Sequence, residues 1–290
     1  RSASLGTAAN MNCAAICHER FRELEVVTIC TAGVERNACR AGDPASYYDP
    51  PEEGGQPPAP GTINAMIFIN RELTPGAMVT SVVTATEAKT AALQELEIPS
   101  RYSEGLATGT GTDQIAIASM IGGRAASFAG KHSKVGELIG RGMHDALRRA
   151  LELQNGLTPS GRCSCLAHLE RLGAERAGFC EGVGEYLSRE NAALFESNFD
   201  SVTGDPLTVA ALASLVHLRD KLLWNVLPES CAAEVMAIYG AQVSAAVSGK
   251  GNRAYAYLQT LSALSPSLER NSFLDFVYQA FALGFSEKWS

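Results

Sequence analysis

The chain has 290 residues, 46% hydrophobic and 19% charged, with a net charge of −7. That length supports one large domain or two ordinary ones, and that composition excludes a disordered chain. Charge is spread evenly, 14 basic against 17 acidic residues through Gln154 and 10 against 14 after it, so neither half offers the basic face that nucleic acid requires.

The first residues lack a basic start followed by an apolar run, which argues against a signal peptide. With no initiator Met, the start of the first domain reads as short. Cys13 and Cys17, followed by His18, are one residue too widely spaced for a haem attachment pattern and read as small buried hydrophobes. Leu24 to Thr31 (LEVVTICT) and Gly61 to Asn70 (GTINAMIFIN) are β-branched and apolar enough for strands. Between them, PASYYDPPEEGGQPPAP holds six prolines and reads as a mobile, irregular excursion.

The next segment predicts a helix capped by Thr74, with Pro75 at its first position. At about 100° per residue, Met78, Val82, Ala85, Ala92, Leu93 and Leu96 share one side, with Thr80, Thr84, Glu87 and Ala91 opposite. Lys89 falls at the centre of the apolar side, with Thr86 at its margin. A lysine there must snorkel out, pair with a carboxylate or lose its proton. A glycine-threonine loop, GLATGTGTD, then leads into a strand from about Gln114, and a further short strand is expected at Ala125 to Phe128. A second helix runs from Ser133 to about Gln154 on the rhythm of Val135, Leu138, Ile139 and Met143.

Gly156 and Pro159 break the pattern, and only helical periodicity follows, with room for five or six helices. Pro206 and Pro266 each sit where a first helical turn would begin. Val209 to Leu227 is interrupted by His217, Arg219, Asp220 and Lys221, which marks a core helix and not a membrane span. The expected fold is therefore α+β, a mixed sheet with packed helices over residues 1–156, followed by an all-α domain over 157–290.

Eight cysteines are too sparse for a disulfide scaffold, and Cys163, Cys165, His168 and Cys180 do not follow a standard zinc spacing. Cytosolic thiols, a cytoplasmic location and no metal are the expectation. Gly109 and Gly111 precede a strand and not a helix, so they form neither a dinucleotide fingerprint nor a P-loop. His132, at the mouth of a helix, has the near-neutral titration of an acid or base catalyst, and equally suits a capping role. Glu137 and Arg141 have the spacing of an ordinary surface pair. His144, His168 and His217 lie on or beside helical stripes and read as structural.

Polar, glycine-punctuated spots remain at element ends. They are Asn37, Arg40 and Asp43 after the first strand, Asn64 within the second, Thr86, Glu87 and Lys89 on the helix, and Thr110, Thr112 and Asp113 before the third strand. The segments that carry them, TAGVERNACRAGDPA, GTIN, LTPGAMVTSVVTATEAKTAALQEL, ATGTGTDQIAIA and GKHSKVGELIG, resemble those of the adenosylcobinamide amidohydrolase family across residues 10 to 158. The resemblance implies hydrolysis of the amide joining aminopropanol to the corrin side chain. The products would be adenosylcobyric acid and 1-amino-2-propanol, as in cobalamin salvage. The corrinoid is then substrate and not cofactor, with no nucleic-acid or membrane partner, and the resemblance assigns nothing to the helical domain.

Residue roles come from the chemistry of amide hydrolysis, which needs a nucleophile, a base, an acid for the leaving amine and an oxyanion partner. No nucleophile elbow or cysteine–histidine pair is visible. Asp113 or His132 is placed as base for a water, with Asp113 also the better partner for Lys89. Lys89 serves the oxyanion or the leaving amine, and Thr110 and Thr112 act as positioning donors. Asn37, Arg40, Asp43, Asn64, Thr86 and Glu87 are placed as substrate contacts. A threonine nucleophile activated by Lys89 is a variant. The other readings are a non-catalytic corrinoid-binding or regulatory module and an amidase acting on another substrate.

Overall fold

The structure, a computed structural model, describes residues 4–45, 61–264 and 266–289, so the proline-rich segment from residue 46 to 60 lies outside the described residues. The chain divides into two compact units, residues 1–158 and 159–290.

In the first unit, strands β1 (Ala15–Phe21) and β2 (Leu24–Ala32) form an antiparallel hairpin. Strand β2 also pairs antiparallel with β4 (Ile63–Ile69), which pairs in parallel with β6 (Gln114–Ser119), giving the order β1-β2-β4-β6. Strands β3 (Ala38–Cys39) and β5 (Gly109–Thr110) form a separate antiparallel pair. Strand β1 has no prior signal, because Cys17, His18, Glu19 and Arg20 give it little apolar contrast; its pairing with β2 makes it a strand. The expected strand at Ala125 to Phe128 reduces to one bridge between Leu73 and Ala126.

A parallel pair requires a crossover, and helix α1 (Pro75–Glu95) supplies it between β4 and β6. Thr74 caps it by accepting from the Ala77 N–H at 3.3 Å, with Pro75 in the first turn. Helix α2 (Lys134–Asn155) starts at Ser133, whose hydroxyl accepts from the Gly136 N–H at 3.0 Å, and ends at Gly156 in the left-handed region. Helix α2 lies on β1 and β2, and α1 packs beside it and against β6. Val26, Cys30, Ala65 and Ile67 are buried with Leu138, Ile139, Met143 and Leu147 in one core, while Ile16 and Phe68 are exposed.

The buried side of α1 is rotated from the expected one. Ala77, Ser81, Thr84, Ala85, Lys89, Ala92 and Leu93 are buried, whereas Val82 is exposed. Small residues let the helix approach its neighbours closely, and Thr84 is satisfied by donating to the Ala129 carbonyl at 3.0 Å. Backbone fit outranked side-chain hydrophobicity here.

The second unit is helical. Among the described residues it has six helices of eight residues or more: Arg176–Gly184, Arg189–Ser197, Pro206–Leu223, Ala232–Ser248, Ala254–Leu261 and Arg270–Ser286. Pro206 begins one of them, but Pro266 does not; there Glu269 caps the helix that starts at Arg270. Its core holds edge-to-face contacts among Phe179, Phe195, Phe199, Phe281 and Phe285, and a buried ion pair between Arg171 and Asp220 at 2.5 Å. Among the described residues one segment, Glu229–Ser248, is long and apolar enough to cross a membrane; its helix packs against those at Pro206–Leu223 and Arg270–Ser286.

The start of α2 admits no side chain at Gly136, where a Cβ would collide with the backbone carbonyl of Gly130. Gly136→Ala is expected to lower stability by about 1–3 kcal/mol, the range for overpacking. Gly140→Ala, whose Cβ would meet only Thr84 at 3.9 Å, is expected to be neutral or stabilising by about 0.5–1 kcal/mol. Urea melts of both variants check the contrast; equal effects would contradict the packing.

Candidate functional site

Asp113 ends the loop that leads into β6, and its carboxylate gathers the neighbouring elements. Its Oδ1 accepts from the Ile63 N–H and the Thr110 N–H, each at 3.1 Å, and from the Thr110 hydroxyl. Its Oδ2 pairs with the Lys89 ammonium. The two side chains retain only 8% and 13% exposure. Lys89 therefore neither snorkels nor stands alone; it reaches from α1 to the end of the sheet where β4 and β6 begin. Gly109 makes room for the pair, because a Cβ there would overlap Asp113 Oδ2 and stand 2.7 Å from Lys89 Nζ.

Around this pair lies a shell of polar groups held by the backbone. Thr62 donates to the Thr112 carbonyl at 2.7 Å, and the exposed Thr112 donates to the Gly61 carbonyl at 2.9 Å. Asn37 is buried, donates to the same Gly61 carbonyl at 2.9 Å and accepts from the Tyr102 hydroxyl at 3.1 Å. The Asn37 backbone carbonyl accepts from Gly111 N–H. Asn64, buried in β4, donates to the Gly6 carbonyl at 2.6 Å. Three predicted spots thus converge: the segment after β2, the start of β4 and the glycine-threonine loop, with Lys89 joining them from α1.

Two outer residues have structural partners. Arg40 is exposed and donates to the Leu106 carbonyl at 3.3 Å. Asp43 accepts from the Arg40 N–H at 2.7 Å and the Ser100 hydroxyl at 2.5 Å. Burial pushes the Asp43 carboxyl up, but hydrogen bonds from Ser100, Ser103 and the Arg40 backbone outweigh it and hold the group below its ordinary value.

The remaining candidates lie elsewhere. Thr86 and Glu87 are on the exposed side of α1, where Glu87 pairs with Lys131. His132 is exposed, and among the described residues no hydrogen bond or ion pair joins it to Lys89 or Asp113. The capping role open to His132 is taken instead by Ser133, which leaves the ring exposed. Thr62, Ser100 and Tyr102 join the shell beyond the expected residues. Thr62 sat within the GTIN motif and was legible; Ser100 and Tyr102 have no local signal.

Two thiols sense the same charges. Burial first, then Asp113, raises Cys30 to about 12 against the opposing effect of Lys89. Burial, Asp113 and Asp43 likewise raise Cys39, which is paired with Gly109 across the short sheet. Both remain protonated at neutral pH, so neither offers the thiolate that covalent chemistry would use. The arrangement provides a desolvated ammonium, a hydroxyl on a shared carboxylate and several backbone amides, a set suited to polarising a carbonyl.

Residues 1–159 match the family described as adenosylcobinamide amidohydrolase. An uncharacterized protein of Methanocaldococcus jannaschii is 39% identical over 163 residues, covering 53% of this chain and 64% of that protein. The chain therefore spans less than two thirds of that relative's length. No solved structure matches.

Lys89→Met is expected to cost about 3 kcal/mol or more, since breaking a buried pair strands the partner charge. Adding Asp113→Asn, which keeps an acceptor for Ile63 and Thr110, should recover much of that loss in thermal melts. An unchanged midpoint in Lys89→Met would contradict the pairing. Asp43 gives a second expectation. Its lowered carboxyl contributes stability that is present above its ordinary value of 3.8 and is lost as pH falls through the lower folded value. Asp43→Asn should flatten the acid limb of a melting series below pH 3.8.

Proposed function

Because the chain belongs to the adenosylcobinamide amidohydrolase family, we propose that it hydrolyses the amide joining aminopropanol to the corrin side chain of adenosylcobinamide. The products are adenosylcobyric acid and 1-amino-2-propanol, and the corrinoid is substrate rather than resident cofactor. A cytoplasmic setting within corrinoid salvage belongs to the same reading and accords with eight free cysteines. The observation that carries the chemical part is the buried Lys89–Asp113 pair with the Thr110 hydroxyl on the same carboxylate.

In this scheme Thr110 Oγ attacks the amide carbon as its proton passes to Asp113 Oδ1, already its hydrogen-bond acceptor. The Lys89 ammonium faces the developing oxyanion and gives a proton to the departing aminopropanol nitrogen. Asp113 then releases its Oδ1 proton to solvent and Lys89 takes one up, restoring carboxylate and ammonium. Water then cleaves the acyl–threonine ester, giving one proton to Asp113, which passes it to the Thr110 oxygen as the acid leaves. His132 has no part. Asp113 is favoured over it as base because only Asp113 touches a hydroxyl and the lysine together.

The test is incubation of the protein with adenosylcobinamide, with mass-spectrometric detection of adenosylcobyric acid and 1-amino-2-propanol. Lys89→Met is expected to lower turnover at least about a hundredfold, the scale of losing a positioned donor. Thr110→Val should abolish turnover, and Thr110→Ser should retain a part of it. Near-normal turnover in folded Thr110→Val would make water the direct nucleophile. No product from the intact protein, with the corrinoid still bound, would leave a binding module in place of an enzyme.

A further inference from the structure

Two side chains of α1 that take no part in the hydrolytic steps reach across to the loop carrying Thr110. The Thr90 hydroxyl donates to the Thr108 carbonyl at 3.2 Å, and the Gln94 carboxamide donates to the Ala107 carbonyl at 2.9 Å. Residues four apart on a helix lie one above the other, so the two grip adjacent carbonyls of one passing segment. Lys89, on the same helix, holds Asp113 at the far end of that loop. From these contacts we infer that Thr90 and Gln94 are positioning residues, which fix the backbone at Ala107 and Thr108 and so place the Thr110 hydroxyl for attack. The inference rests on the amidohydrolase reading and deepens it.

The loop has little means of holding itself. Thr110 stands between Gly109 and Gly111, and both glycine positions are crowded. A Cβ at Gly109 would overlap the Asp113 carboxylate, and one at Gly111 would stand 3.1 Å from Asn37 Oδ1. Glycine loses more backbone freedom on ordering than any other residue, so the stretch needs restraint from outside. At Ala107 and Thr108 all four main-chain polar groups have partners. The Ala107 N–H donates to the Ile98 carbonyl at 2.8 Å, and the Thr108 N–H donates to the Cys39 carbonyl at 2.9 Å. The two carbonyls are those that Gln94 and Thr90 hold. The Thr108 hydroxyl in turn accepts from the Ala41 N–H at 2.8 Å.

The Thr90 contact is not a local default. Earlier on α1, Thr80 and Ser81 return their hydroxyls to carbonyls four residues back, Gly76 at 2.9 Å and Ala77 at 2.8 Å. Thr90 instead spends its hydroxyl on a residue eighteen positions away. Gln94 presents its nitrogen to Ala107, because a carbonyl only accepts. A nucleophile must stand about 3–3.5 Å from the carbon it attacks, and a misplacement of about 1 Å can cost a hundredfold. Both contacts therefore bear on the rate of attack.

The test is the double variant Thr90→Val/Gln94→Met, which keeps side-chain size and removes both donors. On adenosylcobinamide, kcat should fall by roughly ten- to a hundredfold with KM unchanged. Thr90→Ser/Gln94→Met, which restores one donor, should recover part of the loss. Hydrogen exchange read by mass spectrometry should quicken roughly tenfold in peptides covering residues 107–113, the scale of two hydrogen bonds in a local opening. Strands β2 and β4 should exchange as before. If the double variant misfolds, Gln94→Met alone is measured by the same two readouts. Normal kcat, a change confined to KM, or unchanged exchange in the loop overturns the inference. Faster exchange spread over the whole unit overturns it as well, since that marks a purely structural role. If the intact chain forms no product, the amidohydrolase reading fails, and the exchange result alone decides whether Thr90 and Gln94 hold the loop.

Discussion

The ion pair between Lys89 and Asp113 is the constraint on which the first unit is organised. Removing an ammonium and a carboxylate from water costs several kcal/mol each, and their attraction repays it only with good geometry and further hydrogen bonds. Asp113 obtains those bonds from the backbone at Ile63 and Thr110 and from the Thr110 hydroxyl. The pair therefore joins α1, the first residue of β4, the short strand β5 and the start of β6 at one point. A parallel β4–β6 pair needs its crossover helix held at a set height over the sheet, and this contact sets it.

Local chain chemistry makes the contact possible. Gly109 carries no Cβ where one would displace the carboxylate, and Gly61 adopts a φ of 147° where its carbonyl serves both Asn37 and Thr112. The same crowding explains why polar residues in this region have buried, satisfied positions. Thr62, Asn37 and Asn64 are each anchored to a main-chain carbonyl, and the Thr62 hydroxyl also lies 3.4 Å from the Asn64 side-chain oxygen, so the shell is held largely by the backbone. Asp43 and Arg40, by contrast, brace the loop after β3, and their hydrogen bonds are spent on the chain itself.

Much of this was legible along the chain. Capping at Thr74 and Ser133, the break at Gly156 and the strands from Leu24, Gly61 and Gln114 all follow from local pattern and local hydrogen-bonding chemistry. Lys89 announced itself by violating the stripe it sits on. The pattern misled at α1, where Val82 is exposed and Thr84 buried, because close helix packing selects for small volume and a satisfiable hydroxyl. It also missed β1, whose strand character comes from its partner.

The sequence by itself determined the helices, the principal strands, the family resemblance and the presence of a lysine that had to find a counter-charge, because these depend on neighbours a few positions apart. Only the tertiary structure decided that Asp113 is that counter-charge and that Thr110 shares its carboxylate. It also left His132 exposed and brought Tyr102 to Asn37. Those contacts join residues brought together by sheet register and helix packing. Their formation depends on ångström-level placement that side-chain type and spacing do not encode.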